Sequence, residues 1–223
     1  MARLLLLPGL GADERLFAGL GPLGLPVIPH RLPVPQRLET MTAYALRVAA
    51  EMKLRPEDWI GGASFGALVA ADIARRRPLA GLVLIGGALS ANAIPKPGRI
   101  LTALASRLPL RPLRKLIGQP AVLSLAFRPL TPDAIHLLVE MLKSTPNALL
   151  REGARMLASY WPAIPVLCPV FAIHGAHDRL MRPPVLPHCL IVEGAGHALA
   201  LTHAQDTTRF LQEVLGTARS SSH

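Results

Sequence analysis

The sequence predicts an α/β protein in which a mostly parallel sheet of six strands carries helices on both faces. Six short apolar runs have the composition of strands that are buried on both sides. Stretches of helical periodicity separate several of these runs, and strands that alternate with helices form parallel sheets. The runs are ARLLLL from Ala2, VIPHRL from Val27, DWIGGA from Asp58, GLVLIGGA from Gly81, VFAIHG from Val170 and CLIVEG from Cys189.

Three segments between or after these runs have the periodicity of helices. TMTAYALRVAAEMKL from Thr40 and FGALVAADIARRR from Phe65 repeat apolar residues at spacings of three and four. The segment THAQDTTRFLQEVLG from Thr202 does the same, and Gly216 is predicted to end its helix.

A long middle segment has no convincing strand. Thr131 and Thr145 each precede a proline, the arrangement of a cap followed by a first helical turn. Helices are predicted at 99–117, 132–144 and 147–160. We therefore predict a core formed by 1–89 and 163–218, a helical lid inserted at 90–162, and a disordered tail at 219–223.

Composition narrows the classes of protein that the chain can belong to. Its 223 residues suffice for one sizeable core, and its longest nearly uninterrupted apolar run, LAGLVLIGGAL, is too short to span a bilayer. The first residues lack the apolar length and the cleavage site of a signal peptide, so we expect no transmembrane segment and a cytoplasmic location. Cys168 and Cys189 are too few for a disulfide scaffold and are expected to be reduced.

A serine lies at the predicted junction of a strand and a helix. The motif Gly62-Ala63-Ser64-Phe65-Gly66 has the spacing Gly-x-Ser-x-Gly, which in this context forms a sharp turn that exposes the serine hydroxyl. The glycines two residues before and after the serine provide the room that such a turn needs. Small residues could instead serve only to let a helix pack against a strand, but the flanking elements favour a nucleophile.

A serine nucleophile needs a base and an acid that orients the base. His197 follows the last predicted strand in the glycine-rich turn Glu193-Gly194-Ala195-Gly196-His197. Asp178 lies just beyond the preceding strand, whereas the other candidate loop, after GLVLIGGA, has no carboxylate. His197 and Asp178 are therefore the predicted base and acid.

The order Ser, Asp, His, each just past a strand end, resembles the α/β-hydrolase family, and the resemblance extends over almost the whole chain. The loop Pro8-Gly9-Leu10-Gly11-Ala12-Asp13 is similar to the oxyanion loop of that family. The resemblance implies that the backbone N–H groups of Leu10 and Phe65 hold the oxyanion. It also implies that Gly9 and Gly11 allow close backbone approach.

The resemblance further implies a carboxylesterase or thioesterase without a cofactor, acting on a small or medium acyl ester through an acyl-enzyme on Ser64. His197 would be the general base and Asp178 would fix its tautomer. Acyl transfer, perhydrolysis and C–C bond hydrolysis run on the same residues, and a serine rather than an aspartate disfavours dehalogenase and epoxide-hydrolase chemistry. The chain departs from the family at Pro8, in its missing N-terminal strands, and in the short connection between Asp178 and His197.

The predicted lid is strongly basic. Of the chain's formal charge of +10, residues 91–161 contribute an excess of seven, with ten Lys or Arg against three acids, and no acid occurs from Lys96 to Arg128. One predicted helix mixes leucines with five cations, Arg99, Arg107, Arg111, Arg114 and Lys115. They could simply be solvated, or they could dock an acidic acyl carrier protein, as in the pimeloyl-carrier methyl ester esterases that the chain resembles in size and layout, or an anionic lipid surface.

Two other classes of function compete with this interpretation, and nucleic acid is a further partner to be considered. A metal hydrolase could use His174, His177 and Asp178 with His188 or His197. However, His174 and His177 are three residues apart in a predicted loop, which argues against a metal site, so we expect no metal. A binding protein could keep the hydrolase shell without the chemistry. Nucleic acid is a poor candidate despite the isoelectric point near 10.9, because no aromatic residues are interleaved with the cations of the lid.

Overall fold

The computed structural model, which describes residues 1–162 and 164–220, confirms the predicted sheet. Within the described residues, all six strands are parallel to their neighbours, in the order β2-β1-β3-β4-β5-β6. The strands are β1 (Leu4–Leu7), β2 (Val27–Pro29), β3 (Trp59–Ala63), β4 (Gly81–Ile85), β5 (Val170–Gly175) and β6 (Cys189–Val192). Because the strands are parallel, the loops that follow β1, β3, β5 and β6 all open at the same edge of the sheet.

The sheet has an apolar layer on each face. Successive side chains of β1 alternate between the layers: Leu5 and Leu7 belong to one buried cluster, and Leu4 and Leu6 to the other. The first cluster includes residues of α1 (Met41–Glu51) and α2 (Phe65–Ala74), and the second includes residues of α8 (Leu199–Thr202) and α9 (Ala204–Ser220). Every residue of α2 is buried, which fixes the helix that begins just after Ser64.

The predicted end of the last helix at Gly216 is wrong. Helix α9 continues to Ser220 because Gly216 keeps a helical backbone without the positive φ that a glycine terminator adopts. Residues 219 and 220 of the predicted tail therefore lie in this helix, and 221–223 lie outside the described residues.

Among the described residues, five α-helices lie between β4 and β5. They are α3 (Lys96–Ala105), α4 (Leu110–Ile117), α5 (Pro120–Phe127), α6 (Pro132–Ser144) and α7 (Asn147–Ser159). The helix predicted at 132–144 is confirmed, and Thr131 caps it by accepting a hydrogen bond from the Ala134 N–H. The helix predicted at 147–160 is confirmed to within one residue.

The single helix predicted at 99–117 is wrong. It is divided at Pro109, which has no N–H for a continuing helix and instead precedes the first turn of α4. Helix α5 was not predicted, although Pro120 stands at its first position, where a proline is favourable. No single helix in the described ranges is long and apolar enough to span a bilayer; α5 and α6 meet those criteria only as a pair bent by 108°.

Candidate active site

Ser64 lies in the sharp turn between β3 and α2. Its backbone has φ 52° and ψ −116°, a left-handed conformation that is costly for a residue with a side chain. Gly62 and Gly66 make the turn possible, because a methyl group on Gly62 would overlap the backbone of Gly66, and one on Gly66 would overlap the Leu7 carbonyl. The turn therefore depends on both glycines of the motif.

His197 contacts the Ser64 hydroxyl. The His197 Nε2 atom lies 2.9 Å from Ser64 Oγ, and the imidazole is almost completely buried. Its ring also packs against the ring of Phe127 on α5, with 5.6 Å between centroids. The histidine is thus held both by the serine and by a helix of the 90–162 segment.

Asp178 contacts the other nitrogen of His197, with its Oδ2 atom 2.7 Å from Nδ1. Its Oδ1 atom accepts hydrogen bonds from the Leu180 and Met181 N–H groups. Burial alone would raise the pKa of the Asp178 carboxyl, but hydrogen bonds from His174 and His197 outweigh it and hold that pKa well below its usual range. The carboxylate is therefore ionised at neutral pH and aligned with the His197 ring.

The loops that carry Asp178 and His197 touch along their backbones. The His177 N–H donates to the Ala195 carbonyl, and a methyl group on Gly175 would lie 2.5 Å from that same oxygen. A methyl group on Gly196 would overlap the Arg128 carbonyl. This close packing places Asp178 against His197 although the connection between β5 and β6 contains no helix.

The loop after β1 lies beside Ser64. A methyl group on Gly9 would lie 3.3 Å from Ser64 Cβ, and Gly11 has φ +86°, a conformation that favours glycine. In the described part of the chain, neither the Leu10 N–H nor the Phe65 N–H has a hydrogen-bond acceptor. Both predicted oxyanion donors are thus available for a ligand.

Asp13 closes this loop, a role that the sequence analysis did not assign. Its carboxylate accepts from the Arg15 N–H and pairs with the Arg15 guanidinium, whose Nη2 lies 2.7 Å from Oδ2. The hydrogen bond from Arg15 holds the pKa of Asp13 below its usual value. An Asp before a short helical turn is a capping signal, so this role could have been recognised from Asp13-Glu14-Arg15.

A cavity of about 490 Å³ lies above Ser64 and His197. It is lined mainly by apolar side chains from the loop after β1 and from helices α3 to α7, among them Leu10, Leu101, Leu123, Phe127, Leu142 and Leu157. Arg179, which is exposed, contributes a charged side chain to its wall. Volume and lining are those of a small-molecule site that suits an apolar chain.

The five predicted docking cations do not share one environment. Arg107, Arg111 and Lys115 are exposed, and none of them forms an ion pair within the described residues. Arg99 lies over the Trp161 ring at 5.2 Å, and the Arg114 Nη2 donates to the Leu142 and Thr145 carbonyls at the end of α6. Arg114 therefore joins α4 to α6.

A second, more open groove of about 920 Å³ lies between α4 and α6. Arg111, Arg114 and Lys115 line it together with His136 and Lys143, which the sequence analysis did not select. Its basic character comes from two helices, so it could not be recognised from the run 99–115 alone. Leu142 lines both this groove and the cavity above Ser64.

The histidines considered as metal ligands have other surroundings. His174 is fully buried and contacts Asp178, His188 packs against the Phe171 ring, and His177 is exposed. Among the residues that the structure describes, no three His, Cys, Asp or Glu side chains are grouped so that they could hold a metal ion. Cys168 and Cys189 are free thiols, and burial raises the pKa of Cys168 to about 11.

A parallel six-stranded sheet with a hydrogen-bonded serine, histidine and aspartate at its carboxyl edge is the arrangement of a serine hydrolase of the α/β-hydrolase class. A thermophilic esterase from Thermogutta terrifontis, solved with malate bound, has this fold with a TM-score of 0.79 at 20% identity, covering 98% of this chain and 90% of the esterase. The enol-lactonase from Burkholderia xenovorans LB400 matches with a TM-score of 0.71 at 18% identity, over 96% of this chain and 91% of the lactonase.

Sequence similarity identifies a more specific relative. The chain is 30% identical to the pimeloyl-[acyl-carrier protein] methyl ester esterase of Aromatoleum aromaticum strain DSM 19018 / LMG 30748 / EbN1, over 95% of this chain and 97% of that protein. No family model matches the chain. The chain belongs to the α/β-hydrolase family of esterases, with this methyl ester esterase as a relative along nearly its full length, and it hydrolyses esters.

Proposed function

We propose that this protein cleaves a carboxylic ester of a medium-length acyl chain through an acyl-enzyme on Ser64, and that its substrate is attached to an acidic acyl carrier protein. The observation that carries the first part is the continuous chain of hydrogen bonds from Ser64 Oγ through His197 to Asp178, beneath an apolar cavity. The similarity to an esterase of acyl-carrier methyl esters and the basic surface beside the cavity support the second part.

In the first half of the reaction, His197 Nε2 takes the Ser64 proton as Oγ attacks the ester carbonyl. The tetrahedral oxyanion accepts hydrogen bonds from the Leu10 and Phe65 N–H groups, and the start of α2 adds favourable electrostatics. When the intermediate collapses, His197 returns the proton to the departing alcohol. Water then attacks the acyl-enzyme with His197 as base again, which releases the acid and regenerates Ser64.

The helical segment 90–162 serves in this proposal as a lid that encloses the acyl chain. Helices α3, α5, α6 and α7 supply leucines to the wall of the cavity. The apolar lining removes the acyl chain from water, and it has few polar groups that could select a polar acyl group. The length of the acyl chain should therefore determine how well a substrate fits the cavity.

The exposed cations of α4 and of the turn that precedes it form the surface that would meet the carrier. Arg107, Arg111 and Lys115 stand beside apolar side chains that are also exposed, including Leu104, Leu108 and Leu116. An acidic helix with an apolar stripe would complement both features. An anionic bilayer also presents negative charge, so the experiment must distinguish binding of a carrier protein from binding of a bilayer.

The chemistry is tested with p-nitrophenyl esters from acetyl to dodecanoyl and with a fluorophosphonate probe located by mass spectrometry. We expect turnover with a maximum at one chain length, labelling at Ser64, and loss of both in Ser64→Ala. A folded protein without labelling or turnover would contradict the proposal and favour a binding protein. Loss of activity on exhaustive chelation would favour the metal hydrolase instead.

The carrier is tested with the double variant Arg111→Glu/Lys115→Glu. Its matched control is Lys53→Glu/Arg209→Glu, which makes the same change in charge at exposed residues outside 90–162. We expect the first variant to lower kcat/KM at least about tenfold for a methyl ester on an acidic carrier protein, with little change for a p-nitrophenyl ester, and the control to leave both unchanged. If every variant has the kcat/KM of the wild type for each of the two substrates, carrier docking is contradicted. Selective loss of binding to phosphatidylglycerol vesicles would instead assign the surface to lipid.

A further inference from the structure

His174 on β5 contacts the acid of the proposed active site. Its side chain is completely buried, and its Nε2 atom lies 3.1 Å from Asp178 Oδ2 and 3.0 Å from the Met181 carbonyl oxygen. His174 precedes Asp178 by four residues, at the point where β5 ends. Strand and loop thus bring a second histidine to the carboxylate that orients His197.

The surroundings of His174 determine which ring nitrogen carries the proton. Both neighbours of Nε2 are acceptors, so Nε2 must be the protonated nitrogen, while Nδ1 is buried without a partner among the described residues. His174 therefore donates through Nε2 toward Asp178 and the Met181 carbonyl.

The two histidines share one oxygen of Asp178. His197 Nδ1 approaches Oδ2 to 2.7 Å and His174 Nε2 approaches it to 3.1 Å, while Oδ1 is occupied by two backbone N–H groups. Donors on one carboxylate oxygen compete for its charge. Among the described residues, Arg128, His177 and Arg179 are the further charged or titratable side chains that line a shallow pocket together with Asp178.

We propose that His174 is a positioning residue for ester hydrolysis. By donating to Oδ2, it holds the Asp178 carboxylate in line with His197 and withdraws part of the carboxylate charge from the His197 ring. This inference rests on the proposed function, in which the Asp178–His197 pair acts on Ser64. Without His174, the carboxylate is less firmly held but its remaining hydrogen bond to His197 is stronger.

Three substitutions separate the hydrogen bond from simple packing. In His174→Gln the amide nitrogen can replace Nε2, in His174→Asn it reaches only the position of Nδ1, and in His174→Phe the ring remains without a donor. We expect Asn and Phe to lower kcat about 10-fold to 100-fold with little change in KM, whereas Gln stays within about threefold of the wild type. His177→Gln, at an exposed histidine of the same loop, is the matched control and should behave as the wild type.

The pH profile gives a readout that packing alone would not move. The acid limb of kcat/KM reports protonation of the base, and a stronger bond to Asp178 should move it to higher pH in His174→Asn and His174→Phe but not in His174→Gln. The downfield proton resonance of His197 Nδ1–H should shift in the same two variants. An acid limb that coincides with the wild type in all three variants, or a Gln variant as impaired as the Phe variant, would overturn the proposal.

The test remains interpretable if the proposed function fails. If Ser64→Ala retains full turnover, the serine chemistry is wrong whatever the His174 variants do. If Ser64→Ala is inactive and every His174 variant that unfolds at the wild-type temperature has wild-type kinetics, only the role of His174 is wrong.

Discussion

The Cα atom of Gly66 lies so close to the Leu7 carbonyl that the turn at Ser64 leaves no space for a side chain on Gly66. Gly66→Ala should therefore lower the free energy of unfolding by at least about 2 kcal/mol, because backbone on both sides would have to move. Gly216 in α9 has open space around its Cα and no positive φ, so Gly216→Ala is the matched control and should stabilise by about 0.5–1 kcal/mol. Chemical denaturation measures both, and equal effects would refute the steric account.

The strained backbone at Ser64 is expected to lower the stability of the protein at the position of its nucleophile. Ser64→Ala and Ser64→Gly both remove the nucleophile, but only glycine is comfortable at φ 52°. We expect both variants to be inactive, with the glycine variant more stable than the alanine variant by about 1 kcal/mol, since strain relief exceeds the entropy cost of glycine. Thermal unfolding of the pair tests this, and an alanine variant as stable as the glycine variant would mean that the turn stores no strain.

Asp178→Asn tests the acid. The amide cannot stabilise the imidazolium or select the productive tautomer of His197, so kcat should fall about 10³-fold to 10⁴-fold. Labelling of Ser64 by a fluorophosphonate should slow in parallel. Asp206→Asn, on α9 and distant from Ser64 in the sequence, is the control, and a comparable loss of kcat there would point to a general defect rather than to the site.

The ion pairs of Asp58 predict a pH-dependent stability. Burial would raise the pKa of the Asp58 carboxyl, but hydrogen bonds from Arg3 and Arg55 hold it well below its unfolded value. The resulting stabilisation is fully present above about pH 4 and is lost as the pH falls through the folded-state value. Asp58→Asn should cost about 2 kcal/mol at pH 7, an amount reduced by the partial exposure of the arginines, and the gap to the wild type should narrow toward pH 2.

Denaturant unfolding from pH 7 to pH 2 measures that gap. Asp133→Asn, at an exposed position of α6, serves as the control and should change stability by less than about 0.5 kcal/mol. A gap for Asp58→Asn that stays constant with pH would rule out the carboxylate as its origin.

The sequence was sufficient to predict the sheet and to select the residues at its carboxyl edge. Parallel strands buried on both faces are continuous apolar runs such as LLLL in β1, and the glycines around Ser64 reflect a steric requirement that holds in any context. The fold class and the six strands therefore follow from local patterns.

The break within 99–117 and the directions of individual side chains were not predictable in this way. The periodicity through 99–117 hid the break at Pro109, because the leucines continue at helical spacing on either side. Equally, the sequence shows that His174 is near Asp178 but not that its Nε2 atom points at the carboxylate. Arg114 looked like the other cations of its helix, yet it binds the carbonyls at the end of α6.

The contact between Gly196 and Arg128 limits which parts of the cavity wall can be engineered to change the substrate range of this enzyme. The turn that carries His197 touches the connection between α5 and α6 backbone to backbone, so changing the length of that connection would displace the base along with the cavity wall. Helix α3 reaches the same cavity through Leu101 and Thr102, and within the described residues no backbone hydrogen bond joins it to the His197 turn. A combinatorial library that varies Leu101 and Thr102 should therefore recover active clones with new chain-length preferences, whereas insertions at 128–131 should yield mostly inactive ones.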